Sequence, residues 1–172
     1  MKVQVVDYNN QWPEMFKKES RKIAKVFEDE LVHIHHIGST SVEGLPAKPI
    51  IDIMPVVKTI ENVDALSTQM NKIGYEALGE FGMKGRRYFR KGEQTRTHHI
   101  HVFQKDNLYD IARHLAVRDY LRFHPEESKR YGSLKMKLAA MFPDDIESYI
   151  DGKDLFVKEL ERNALSWYNA KK

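Results

Sequence analysis

Apolar positions recur at helical spacing near the start of the chain, form strand-like runs through its first half, and return to helical spacing beyond position 107. Residues 13–29 read as a helix, with Pro13 suited to a first helical position, Trp12 pinning its start, and Phe16, Ile23, Val26 and Phe27 as the apolar stripe. Leu31 to Ile37 reads as a strand ended by Gly38-Ser39, and Ser39 to Lys48, carrying Gly44 and Pro46, as a loop. Pro49 to Val57 is the strongest strand signal, because its apolar run is nearly continuous. Thr59 is expected to cap a helix over 60–73 with Val63, Leu66, Met70 and Ile73 inward. Tyr75 to Lys91, punctuated by glycines, reads as strands and turns, and Arg96 to Gln104 as a further strand. The remainder is expected to be helical to the end, with new starts at Pro125 and Pro143 and a break at Gly152.

This order implies an α+β chain: a mixed β-sheet flanked by helices, with a helical C-terminal tail. A fully parallel doubly wound sheet is disfavoured, because the link between the first two strands is at the minimum length for a crossover. No repeat or linker-like segment divides the chain, so residues 1–172 are expected to form a single domain.

Composition changes this picture little. Hydrophobic residues make up 41% and charged residues 31%, as in an ordinary globular protein. The absence of cysteine excludes disulfides and thiolate metal sites. The first residues contain no long apolar run, and no stretch approaches a membrane span, so a cytoplasmic protein without a membrane partner is expected. The net charge of +3 is too mild to imply nucleic acid, although basic residues cluster over 84–96 and 113–137.

Candidate chemistry concentrates between His36 and Met54. A Gly38-Ser39 turn allows backbone amides and a hydroxyl to approach phosphate oxygens. Asp52 stands alone in an apolar strand and must face a cleft, a cation or a basic partner, because an uncompensated buried carboxylate is costly. It is a candidate metal ligand and catalytic group, or one half of an ion pair with Lys48, Arg86 or Arg87. His99 and His101 are two apart in a strand and share a face. With Asp52 they are candidate catalytic and metal-binding residues. Imidazoles favour Zn or Mn over Mg, and they serve equally as phosphate ligands, as acid and base, or as a structural pair in a polar cleft. Lys48 and one of Arg86 or Arg87 are candidate phosphate contacts.

The segment His36-Ile-Gly-Ser-Thr-Ser-Val resembles the GrpB-like family, as do Lys48-Pro-Ile-Ile-Asp-Ile, Gly85-Arg-Arg-Tyr-Phe-Arg-Lys and Arg96-Thr-His-His-Ile-His-Val-Phe. The resemblance continues through Arg118-Asp-Tyr-Leu-Arg to Leu134-Lys135 and covers nearly the whole chain. It implies a nucleotidyltransferase-like fold, a Gly-Ser turn on phosphate, a divalent metal (Mg, Mn or Zn), and a helical lysine, here Lys135, facing a triphosphate. The superfamily pattern also calls for a second carboxylate at the position of Met54 and a third on a later strand, which here reads His98-His-Ile-His-Val-Phe. A two-metal site lacks its ligands on that count. The expectation is therefore a protein that binds a nucleotide or other phosphorylated small molecule at the Gly38-Ser39 turn. It is either a metal-dependent transferase or a non-catalytic binding module; an RNA-binding role has weak support from the basic helices.

Overall fold

In the computed structural model, which describes residues 2–171, the chain divides into two compact units. Residues 11–37 and 50–111 form one; residues 2–10, 38–49 and 112–171 form the other.

The first unit is built on a five-stranded mixed sheet. Its strands are β1 (Leu31–Ile37), β2 (Ile51–Val57), β3 (Tyr75–Ala77), β4 (Arg87–Lys91) and β5 (His98–Gln104), in the spatial order β1-β2-β5-β4-β3. Only β2 and β5 run parallel; the other neighbours are antiparallel. Strand alternation separates two faces. One carries Ile51, Ile53, Ile100 and Val102, all fully buried, and α1 (Trp12–Phe27) packs on β1 and β2. Ile23 and Phe27 of α1 are buried, and the ring of Phe16 stacks on His36 of β1 at 4.8 Å. The other face carries Asp52, Met54, His99 and His101. The continuous apolar run of β2 is explained by burial on both faces: Met54 is as inaccessible as Ile53.

The helix expected over 60–73 forms differently. Ile60–Leu66 is a 3-10 segment and only Ser67–Lys72 (α2) is α-helical. Thr59 makes no side-chain cap; its backbone amide instead donates to the carboxylate of Glu30, which also accepts from Asn62. Val63 and Met70 point inward as expected, while Leu66 and Ile73 remain half-buried.

The second unit is mainly helical. Its helical residues belong to the C-terminal part of α3 (Leu108–Phe123), to α4 (Pro125–Met141) and to α5 (Ile146–Ala170). Val42 and Leu45 pack against Leu121, Tyr131 and Leu160; Val3 packs with Leu138 and Tyr149. Pro125 opens α4 and Asp145 caps α5 through the Ser148 amide. Gly152, expected to break the helix, lies inside α5. A Cβ there would meet Leu138 Cδ2 of α4 at 2.5 Å, so this glycine allows the two helices to touch. The tail's last residue, Lys172, lies outside the described residues.

Candidate functional site

In the first unit the parallel pairing of β2 with β5 sets Asp52 beside His99 and leaves His101 two residues along the same face. His101 Nε2 lies 3.0 Å from Asp52 Oδ1, and His99 Nδ1 lies 3.8 Å from the same oxygen. The three side chains are therefore together: alternation puts His99 and His101 on one face, and the pairing of β2 with β5 brings that face to Asp52. On its far side His101 Nδ1 is 3.4 Å from Arg86 Nη1. A guanidinium only donates, so Nδ1 accepts and the ring proton sits on Nε2, facing the carboxylate. Arg86 also donates to the carbonyls of Glu80 and Phe81, which ties the β3–β4 loop to this face.

Electrostatics distinguishes the two histidines' neighbours. Burial holds His99 below its ordinary range, outweighing the opposite pull of Asp52. His99 is thus a neutral base at pH 7, not a cation. Burial, helped by Asp52, raises Tyr88, whose ring lies 5.6 Å from His99 and 5.4 Å from His101.

Arg87 is held by Asp64 through two contacts, at 2.7 and 3.3 Å, and so forms a structural ion pair; the expected partner Asp52 has histidines instead. In the second unit, Gly38 adopts φ 72° and ψ −175°, a conformation open only to glycine, and starts the 3-10 turn Ser39–Ser41. Lys135, 2% exposed on α4, places its ammonium 2.7 Å from Ser39 Oγ and 4.5 Å from the centre of the Tyr131 ring. Lys48 lies over the Tyr149 ring at 4.9 Å. Arg122, which the sequence places only in a basic cluster and in the Arg118-Asp-Tyr-Leu-Arg segment, braces this turn by donating twice to the Ser41 carbonyl, at 3.0 and 2.7 Å. Nothing in a local window pairs it with Ser41, since the two residues are 81 apart.

The donor set does not fit a two-metal centre. Asp52 is its one carboxylate and the position of the second is the fully buried Met54. Among the described residues no group of three histidine, aspartate or glutamate side chains is arranged to hold a metal ion. What the arrangement offers is an oriented carboxylate with one imidazole fixed against it and another kept neutral beside it.

The model of the family described as GrpB protein matches residues 2–163. The chain belongs to the GrpB family. The UPF0157 protein YqkA of Bacillus subtilis (strain 168) is 48% identical over 166 residues, covering 96% of this chain and 48% of that protein, so the chain spans about half the length of this relative. The crystal structure of the conserved protein GrpB from Enterococcus faecalis matches with a TM-score of 0.94 at 47% identity, over 96% of this chain and 99% of that one. The Cid1 poly(U) polymerase with Mg 3′-dATP bound matches with a TM-score of 0.54 at 10% identity, over 78% of this chain and 42% of that one. The last likeness shows the fold alone: this GrpB chain has a nucleotidyltransferase-like α+β fold. No helix among its described residues is long and apolar enough to cross a membrane.

Proposed function

We propose that this GrpB chain binds a phosphorylated small molecule of the nucleotide class, with Gly38, Ser39 and Lys135 contacting phosphate. One observation carries the reading: a lysine buried to 2% exposure on α4 directs its ammonium at the hydroxyl of a Gly-Ser turn. An ammonium taken from water is costly, and its field is strongest where solvent is excluded. A phosphate oxygen bound at the Ser39 hydroxyl receives both a hydrogen bond and that field. Lys48 is a further cation of the same unit, and the Cid1 likeness supports the nucleotide class.

Transfer chemistry is the second reading. It is favoured by Asp52, which is oriented by His101 and flanked by neutral His99. In that reading Asp52 and His99 accept protons. Two-metal transfer with Mg is not expected from one carboxylate.

Calorimetry with ATP and with inorganic tripolyphosphate tests the binding reading. Wild type is expected to bind both, and Lys135→Met to lose about 10-fold or more, as for a charge-assisted hydrogen bond. A wild type that binds neither compound overturns the reading. Asp52→Asn should leave tripolyphosphate affinity in place while abolishing any nucleotide turnover.

A further inference from the structure

The loop joining β3 to β4 carries an aromatic residue in an unusual setting. Phe81 is 54% exposed and has φ +47°, a left-handed backbone that a bulky residue rarely adopts. Its neighbours Gly79, Gly82 and Gly85 take positive φ as glycines ordinarily do, and a Cβ at Gly79 or Gly82 would meet nothing within 4 Å. The strained conformation at Phe81 is fixed from inside: Arg86 Nη2 donates to the Phe81 carbonyl at 2.9 Å and Arg86 Nε donates to the Glu80 carbonyl.

The result is a flat, supported ring. Phe81 stacks on Tyr88 with ring centres 5.0 Å apart and planes 7° apart. Tyr88 is only 7% exposed, lies between His99 and His101, and receives the Arg86 guanidinium 4.8 Å from its ring centre. Arg90 is held by Glu76 at 2.8 Å, with its guanidinium 5.8 Å from the Phe81 ring centre. A stacked aromatic pair thus extends the Asp52 face and ends in an exposed ring.

We propose that Phe81, backed by Tyr88, is a stacking platform for a planar heteroaromatic ring, the base of a nucleotide. A base presents a π-face that stacks on an exposed, supported aromatic side chain, and the Arg90 guanidinium, over the Phe81 ring at 5.8 Å from its centre, adds a cation beside the platform. The platform selects ligands with a base over phosphate alone. It rests on the nucleotide reading above only in assigning the ring to a nucleotide.

The test compares the four ribonucleosides, the four ribonucleoside triphosphates and tripolyphosphate as ligands of wild type, Phe81→Ala and Phe81→Trp. Replacing a stacking ring by alanine is expected to weaken the preferred triphosphate and its nucleoside by about 5- to 150-fold, with tripolyphosphate unchanged. In Phe81→Trp, affinity is retained, and the nucleoside quenches indole fluorescence beyond any change seen in wild type. The platform is overturned if Phe81→Ala affects triphosphates no more than tripolyphosphate, or if no base quenches the introduced indole. Nucleoside binding without tripolyphosphate binding leaves the platform standing and removes the phosphate reading. Binding of none of these compounds by wild type overturns both.

Discussion

Met54 shows how the identity of one residue changes what the site can do. It stands two residues after Asp52, where the nucleotidyltransferase pattern places a second acid, yet it is fully buried in the middle of β2. Met54→Asp therefore does not restore a metal ligand; it puts an unpaired carboxylate into the core. The expected loss is about 3–5 kcal/mol, against less than about 1.5 kcal/mol for the volume-conserving Met54→Leu. Chemical denaturation of both variants reads this directly, and an acid variant as stable as wild type would show that position 54 is open to solvent. Asp52 was legible as a site residue because it interrupts an apolar run. Its meeting with His101, 49 positions away, depends on the pairing of β2 with β5, which strand alternation alone does not supply. Phe81 left no comparable signal: a left-handed backbone at a non-glycine residue follows from the loop's hydrogen bonds, which involve atoms that local sequence does not pair.

The elements that read well were those whose pattern was set by the sheet or by local chemistry. β1 matches its expected bounds, β2 and β5 each begin two residues late, and α1 begins at the buried Trp12 and ends at Phe27. Those that read poorly depended on distant partners. The segment over 60–66 took 3-10 geometry where Glu30, some thirty residues earlier, satisfies the amides of Thr59 and the side chain of Asn62. Gly152 weakens helix propensity and so reads as a stop, whereas its missing side chain admits Leu138. Gly132 does the same in α4, where a Cβ would meet Pro46 Cδ at 2.8 Å. Gly152→Ala gains about 1 kcal/mol of helix propensity but forces Leu138, only 6% exposed, off its rotamer, at a cost of about 1–3 kcal/mol. A net destabilisation of about 1 kcal/mol is expected in thermal or denaturant unfolding. Stabilisation by this substitution would mean that Leu138 yields freely and that packing does not explain the glycine.

Stability of the molecule as a whole carries a pH dependence set on the face of the sheet opposite Asp52. Glu19 of α1, 4% exposed, accepts from the Tyr75 hydroxyl at 2.7 Å and from Lys91 Nζ at 3.0 Å. Burial alone would raise Glu19, but the bonds from Tyr75 and Lys91 outweigh it and hold the carboxyl below its usual range. His98 lies edge-on to Tyr75, with Nδ1 on Thr97 Oγ1 at 2.8 Å and a buried Nε2 that has no hydrogen-bond partner. Burial pushes His98 down to about 4 against the raising pull of Glu19. The unfolded chain protonates this imidazole at its ordinary value, about 6.5, so between there and about 4 the unfolded state binds the extra proton. The His98 contribution is therefore complete above the ordinary value and is lost as pH falls towards 4, by up to about 3 kcal/mol. Glu19 acts in the same direction lower down: its contribution is present above the ordinary carboxylate value and is lost as pH falls through its depressed one. His99, also lowered by burial, adds to the upper window, so comparison of variants is what isolates His98. His98→Leu removes one titrating group and leaves the Tyr75 and Lys91 bonds to Glu19 in place, although the charged imidazole no longer helps to lower Glu19. Denaturant unfolding from pH 7 to 4 should show a shallower loss of stability in His98→Leu than in wild type. Parallel curves throughout would mean that His98 charges in the folded protein, and the buried, unprotonated imidazole would be the wrong description of this network.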